Sequence, residues 1–153
     1  MNRSDETQKP VLISKNYEGI DGRLAGQEPE KALTLGLSAD ETELLGTLWG
    51  KDGENWQTLD SQSFSRILDM AIFLAQGNLY FQEAYRYEKF YNPEDPQVAI
   101  IGLQGGRMTV AADTENPQLD QDILAFHDLL QKDGELLGQR FRTLKRLLDE
   151  AGY

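Results

Sequence analysis

Apolar residues recur at two different periods along the chain, and the change of period marks its elements. Leu33, Leu35 and Leu37 alternate with Thr34 and Gly36, the period of a strand with one buried face, and the polar Ser38-Ala39-Asp40-Glu41-Thr42 ends that run. Val11 to Ser14 is a shorter β-rich run, and the stretch Asn16 to Arg23, with two glycines and an Asp-Gly step, reads as a turn-rich loop. A further strand spans Glu43 to Gly50. If Asp52-Gly53 forms a two-residue hairpin turn, Lys51 faces Glu54, Trp49 faces Trp56 and Thr47 faces Thr58, so charge, aromatic and hydroxyl pairs all match.

From residue 60 to 92 the period becomes helical. Phe64, Ile67, Leu68, Ala71, Leu74, Ala75 and Leu79 recur at threes and fours, Ser61 or Ser63 can cap the start, and Pro93 stops it. Met70 to Ala75 is apolar on every side, which predicts a long central helix buried within the domain. After the turn-forming Asn92 to Pro96, a hairpin with Gly105-Gly106 at its tip pairs Leu103 with Met108, Ile101 with Val110 and Ala99 with Ala112. The remainder is helical. Asn116-Pro117 opens one segment, and Asp133-Gly134 closes it and starts the next. In that last segment Leu137, Phe141, Leu144, Leu148 and Ala151 form a narrow stripe. The stripe packs inside the domain or against a second copy; five positions in two heptads are too few for an autonomous coiled coil, which favours the inside. The order β-β-β-β-α-β-β-α-α predicts an α+β domain of antiparallel hairpins, about six strands, with a long central helix and two C-terminal helices.

Composition narrows the function classes more than it selects one. The 153 residues carry no cysteine and a formal charge of −11, so disulfide frameworks, cysteine metal sites and thiol nucleophiles are excluded, and nucleic acid or anionic lipid meets a repulsive field. Residues 1–9 read as a disordered tail without an export signal, and residues 10–153 as a single domain. No run approaches the roughly 20 apolar residues that span a bilayer. A cytoplasmic protein without cofactor, metal, nucleic-acid or membrane partner is the expectation.

Candidate chemistry is sparse. His127 is the single histidine and sits beside Phe126 and Leu130, the setting of a core or boundary histidine more than of a general base. Asp113, Glu115, Asp120 and Asp122 lack the spacing of a calcium loop and suit a helix start. Residues 94–135 hold nine acids against two bases, whereas Gln139 to Leu148 holds Arg140, Arg142, Lys145, Arg146 and no acid. Basic residues suit the end of a C-terminal helix, and the alternative is that acidic and basic faces meet between subunits. Two tyrosine-rich, mixed-charge segments make a candidate binding pocket: Lys15, Tyr17, Asp21 and Arg23 from the first loop with Glu83, Arg86 and Tyr87 from the end of the long helix.

Lys9-Pro10-Val11 with Asn16-Tyr17 and Asp21-Gly22-Arg23, the central Glu83 to Lys89, and Asp133-Gly134-Glu135-Leu136 with Arg140, Arg142 and Gly152-Tyr153 resemble a small bacterial family of uncharacterised single-domain proteins. The resemblance covers nearly the whole chain. It implies a stand-alone bacterial domain and brings no catalytic residue or cofactor with it. The sequence therefore points to a cytoplasmic binding or protein-interaction module, with self-association through Leu137, Phe141 and Leu144. The alternatives are a small enzyme using Asp21, Glu83 or Glu88 beside Arg23 and Arg86 on a polar metabolite, and an acidic mimic of DNA. An exposed seam at Leu137, Phe141 and Leu144 would favour the interaction module, and a displaced pair of carboxylates the enzyme.

Overall fold

A computed structural model describes residues 1–3, 6–24 and 29–153, with the side chains of Asn2 and residues 21–24 outside that description. The chain forms two compact units, Met1–Ala71 and Ile72–Tyr153. The fold is α+β, and the predicted order of strands and α-helices is the observed one, with one short strand added at the N-terminus and a 3₁₀ helix at Tyr17–Leu24 in the turn-rich loop.

In the first unit, β1 (Asn2–Arg3), β2 (Gln8–Ile13), β3 (Lys31–Ser38), β4 (Leu44–Asp52) and β5 (Asn55–Ser63) form one sheet in the order β1-β5-β4-β3-β2. All pairings are antiparallel except the short parallel β1–β5 ladder. Part of the expected tail, residues 1–9, is therefore strand. Because β1 and β2 are neighbours in sequence yet occupy opposite edges, the sheet curls across one face. Gln8 of β2 reaches the side chains of Thr47 on β4 and Thr58 on β5, and the Arg3 guanidinium lies 5.7 Å from the Trp49 ring centroid.

This curled inner face is the buried one, and it is rich in hydroxyls. Trp49 is fully buried and donates its indole N–H to Thr34 Oγ1 at 2.8 Å. The Thr47 hydroxyl donates to Gln8 Oε1, so its contact with Ser61 Oγ at 2.9 Å is one in which Ser61 donates. Thr34 and Thr47 are thereby both buried and satisfied. The leucine alternation pointed to the opposite face: Leu33 and Leu35 are 39% and 42% exposed, because the strand that closes over the sheet does so on the threonine side.

The β4–β5 register also differs from expectation. Asp52 pairs with Asn55 and Lys51 with Trp56, so Gly53 and Glu54 are the central residues, with Gly53 in the left-handed region at φ 62°. Trp49 consequently faces Thr58, and Trp56 carries the Lys51 ammonium 6.0 Å from its ring centroid. An irregularity between Leu48 and Trp49 then returns Thr47 to the level of Ser61.

Helix α1 (Phe64–Phe81) starts in the first unit and ends in the second, capped by Ser63 Oγ accepting the Arg66 N–H. It stops well short of Pro93, and none of its residues is buried, so it is not the buried centre its composition suggested. The second unit continues with a 3₁₀ turn (Ala84–Arg86), the hairpin β6 (Gln97–Leu103) and β7 (Gly106–Ala111), and helices α2 (Leu119–Lys132) and α3 (Gly134–Glu150). Its hairpin turns one residue earlier than expected, at Gln104-Gly105, pairing Ile101 with Met108 and Ala99 with Val110. Moving the tip by one residue shifts partners by two, so the alternation of faces survives, and Val110 is buried.

Candidate functional site

Two features of the second unit bring chemistry-bearing residues together. The first is a polar cluster after α1. Phe90 has φ 63°, a conformation that costs a bulky aromatic residue backbone energy, and its carbonyl accepts the Tyr80 hydroxyl at 2.7 Å. Tyr91 next to it is buried and donates to Asp120 Oδ1 at 3.1 Å, while Lys89 Nζ lies 3.1 Å from Asp120 Oδ2. His127 packs 4.7 Å from the Phe90 ring, the boundary position expected of it. Hydrogen bonds from Lys89 and then Tyr91 hold Asp120 below the usual carboxylate range. The same bond raises Lys89, and burial, followed by the bond to Asp120, raises Tyr91. Each group is thus pushed further from neutral pH, the opposite of what proton transfer at neutral pH requires.

The second feature is a groove between three helices. Phe73, Leu74, Gly77 and Asn78 from one side of α1, Phe126 and Leu130 one turn apart on α2, and Leu137 and Phe141 one turn apart on α3 line a hollow of about 380 Å³. Every one of these side chains except Asn78 is apolar or glycine. A Cβ at Gly77 would meet nothing within 4 Å, so the missing side chain leaves open space in the wall. A smaller adjoining hollow of about 260 Å³ shares Asn78, Leu130, Leu137 and Phe141 and adds the amides of Gln82 and Gln131 with Gly134 and Gly138. Phe73, Leu74 and Phe126 remain about half exposed at the mouth.

The expected pocket is only partly described. Glu83, Arg86 and Tyr87 do lie together: Arg86 is 3.5 Å from Glu83 and its guanidinium 5.2 Å from the Tyr87 ring centroid. Tyr80 is raised first by burial and then by the charge of Tyr87, with Arg86 acting the other way. Lys15 and Tyr17 belong to the first unit, and the side chains of Asp21 and Arg23 fall outside the described residues. Among the described residues no group of histidine and carboxylate side chains is placed to hold a metal ion, and no helix is long and apolar enough to cross a membrane.

Leu137 and Phe141 of the predicted seam line the groove, and Leu144 stands exposed beyond it. The wall contributed by Phe73, Leu74 and Gly77 escapes sequence reasoning, because an apolar helix reads as core until its neighbours are placed. The Lys89–Tyr91–Asp120 cluster escapes it as well, since no local pattern joins residues about thirty positions apart. One family, described as a family of unknown function (DUF6530), matches residues 1–153. Comparison with curated proteins and with solved structures returns no match.

Proposed function

From the premise that the chain belongs to this family of unknown function, we infer that it is an interaction module whose second unit binds the apolar face of an amphipathic helix carrying basic flanks. The observation that carries this reading is the open three-helix groove, apolar along its length and about one helix turn wide in side-chain spacing on each wall. A folded protein that leaves Phe73, Leu74 and Phe126 about half exposed around one hollow has a surface suited to a partner. The flanks follow from charge. Helix α2 and the residue after it carry Asp120, Asp122, Asp128 and Asp133 against Lys132, so the helix that supplies Phe126 and Leu130 to the apolar groove has a net negative charge outside it, which favours a cationic partner. An enzyme reading draws less support, because the best-built polar cluster holds its acid and base in their ordinary charged states.

The chain has no native cysteine, so a Gln131→Cys variant at the rim can carry an environment-sensitive fluorophore alone. Titration with a synthetic helical peptide bearing leucines on one face and lysines beside them should give a saturable blue shift. A scrambled peptide of the same composition should give none, and Phe126→Lys should abolish the response. An unchanged emission with the helical peptide, at a protein concentration where the chain is monomeric, would overturn the reading.

A further inference from the structure

Helix α3 is itself a helix of the kind the groove suits. Leu137 and Phe141 are half-buried in the groove wall, but the same stripe runs on to Leu144 and Leu148, which with Leu147 are 44%, 42% and 50% exposed. Arg140 and Lys145 flank this stripe on either side, while Arg142 and Arg146 lie on the opposite face of the helix. Since α3 is one continuous helix over Gly134–Glu150, its outer half cannot fold back into the groove its inner half forms.

We propose that the Leu144–Leu148 ridge docks in the three-helix groove of a second copy of this chain, reciprocally, so that two α3 helices pair antiparallel about a two-fold axis. This rests on the reading of the groove given above and names its partner. Three observations support it. The surface is self-complementary, groove and ridge being successive parts of one helix, which is what a closed two-fold interface requires. Its exposed side chains are large enough: taking about 200 Å² for a whole phenylalanine and somewhat less for a leucine, the half-exposed Phe73, Leu74, Phe126, Leu144, Leu147 and Leu148 offer on the order of 500 Å² of apolar surface, against about 800 Å² per partner in a standard interface once the polar rim is included. The charges are also of opposite sign, since Arg140 and Lys145, which flank the ridge, would approach α2, whose net charge is negative. On α3 itself, Arg142, Lys145 and Arg146 meet Glu135, Asp149 and Glu150 in exposed ion pairs, which solvent screens and an oppositely charged surface can rearrange.

Sedimentation equilibrium of the full chain over micromolar concentrations should return twice the monomer mass of 17.3 kDa. The double variant Leu144→Lys/Leu148→Lys should raise the dissociation constant at least tenfold with an unchanged far-ultraviolet circular dichroism spectrum, because both side chains are exposed where they stand. Raising the salt concentration should weaken the dimer several-fold. A monomer mass at every concentration, or a dimer indifferent to the double variant, would overturn the proposal. The peptide titration separates the two ideas: a monomeric chain whose rim fluorophore still responds to the helical peptide sinks self-pairing and leaves the groove reading standing, whereas a monomer with no response sinks both.

Discussion

The hidden face of the first unit is polar, and the open face of the second is apolar. Inside the curled sheet, Trp49 donates to Thr34, Ser61 to Thr47 and Thr47 to Gln8, so these polar groups are buried at little cost. Around the three-helix groove, leucines and phenylalanines stand half in water. Hydrogen bonds let most of the sheet's polar groups be buried, the Arg3 Nε over Trp49 being left without one among the described residues, and an apolar surface left open is the one available for binding.

The largest effects should fall on the first unit. Trp49→Ala removes the only fully buried large side chain among its described residues and should cost about 3–5 kcal/mol, read as a lower denaturation midpoint by circular dichroism. Leu148→Ser, on the open face, should stay within about 0.5 kcal/mol in the monomer. Equal losses at the two positions would erase the contrast. Gly36→Ala comes next. Its Cβ would sit 2.3 Å from the Lys9 carbonyl oxygen and 2.7 Å from Pro10 Cα, both backbone, so the β2–β3 ladder must open, at about 2–3 kcal/mol by the same measurement.

Thr34→Val sharpens the point about polarity, since it keeps the shape of the side chain and removes one oxygen. The Trp49 indole N–H is then buried without an acceptor, and the loss should be about 1–2 kcal/mol, independent of salt. A neutral or stabilising valine would mean that the inner face gains nothing from its hydroxyl pairs.

Much of this architecture is legible in the sequence where the signal is local. The order of elements, the α2–α3 junction at Asp133-Gly134 and the Leu137–Phe141 stripe all follow from period and turn chemistry. Both hairpin tips lie one residue from their expected places, because Asp52-Gly53-Glu54 and Gln104-Gly105-Gly106 each offer glycine to more than one turn, and the choice between them is made by the ladder beyond. The buried side of β3 cannot be read from its own alternation, since Gln8 and Arg3 close over the threonines from another part of the chain. Helix α1 is shorter than its pattern suggests: the helical spacing of Tyr80, Tyr87 and Tyr91 continues past Phe81, where the chain passes into turns and the 3₁₀ segment Ala84–Arg86. Half of the candidate site is visible as a stripe. Its opposite wall depends on which side of the apolar Met70–Ala75 stretch of α1, and of the turn after it, faces α2 and α3.

The smallest effect expected belongs to a hydrogen bond of similar length placed in solvent. Lys89 and Asp120 are each about half exposed, and Asp120 is held below its usual range by Lys89 and Tyr91 while Lys89 is raised by Asp120. A carboxylate with a lowered folded value stabilises the fold above its unfolded value, near pH 3.9, and that contribution is lost as pH falls through the folded value. A raised lysine does the reverse: its contribution is complete below its ordinary value and is lost as pH rises through the raised one. The pair is therefore whole between these limits. Asp120→Asn should lower the melting temperature by about a degree at pH 7 and low ionic strength, with the difference from the native chain closing in strong acid and again in strong base. Salt should shrink it too, since solvent reaches both charges, whereas the Thr34→Val penalty should ignore both variables. A loss at Asp120 as large as that at Thr34, and indifferent to salt, would show that the second unit also depends on a buried polar network, and the contrast between the two units would fail.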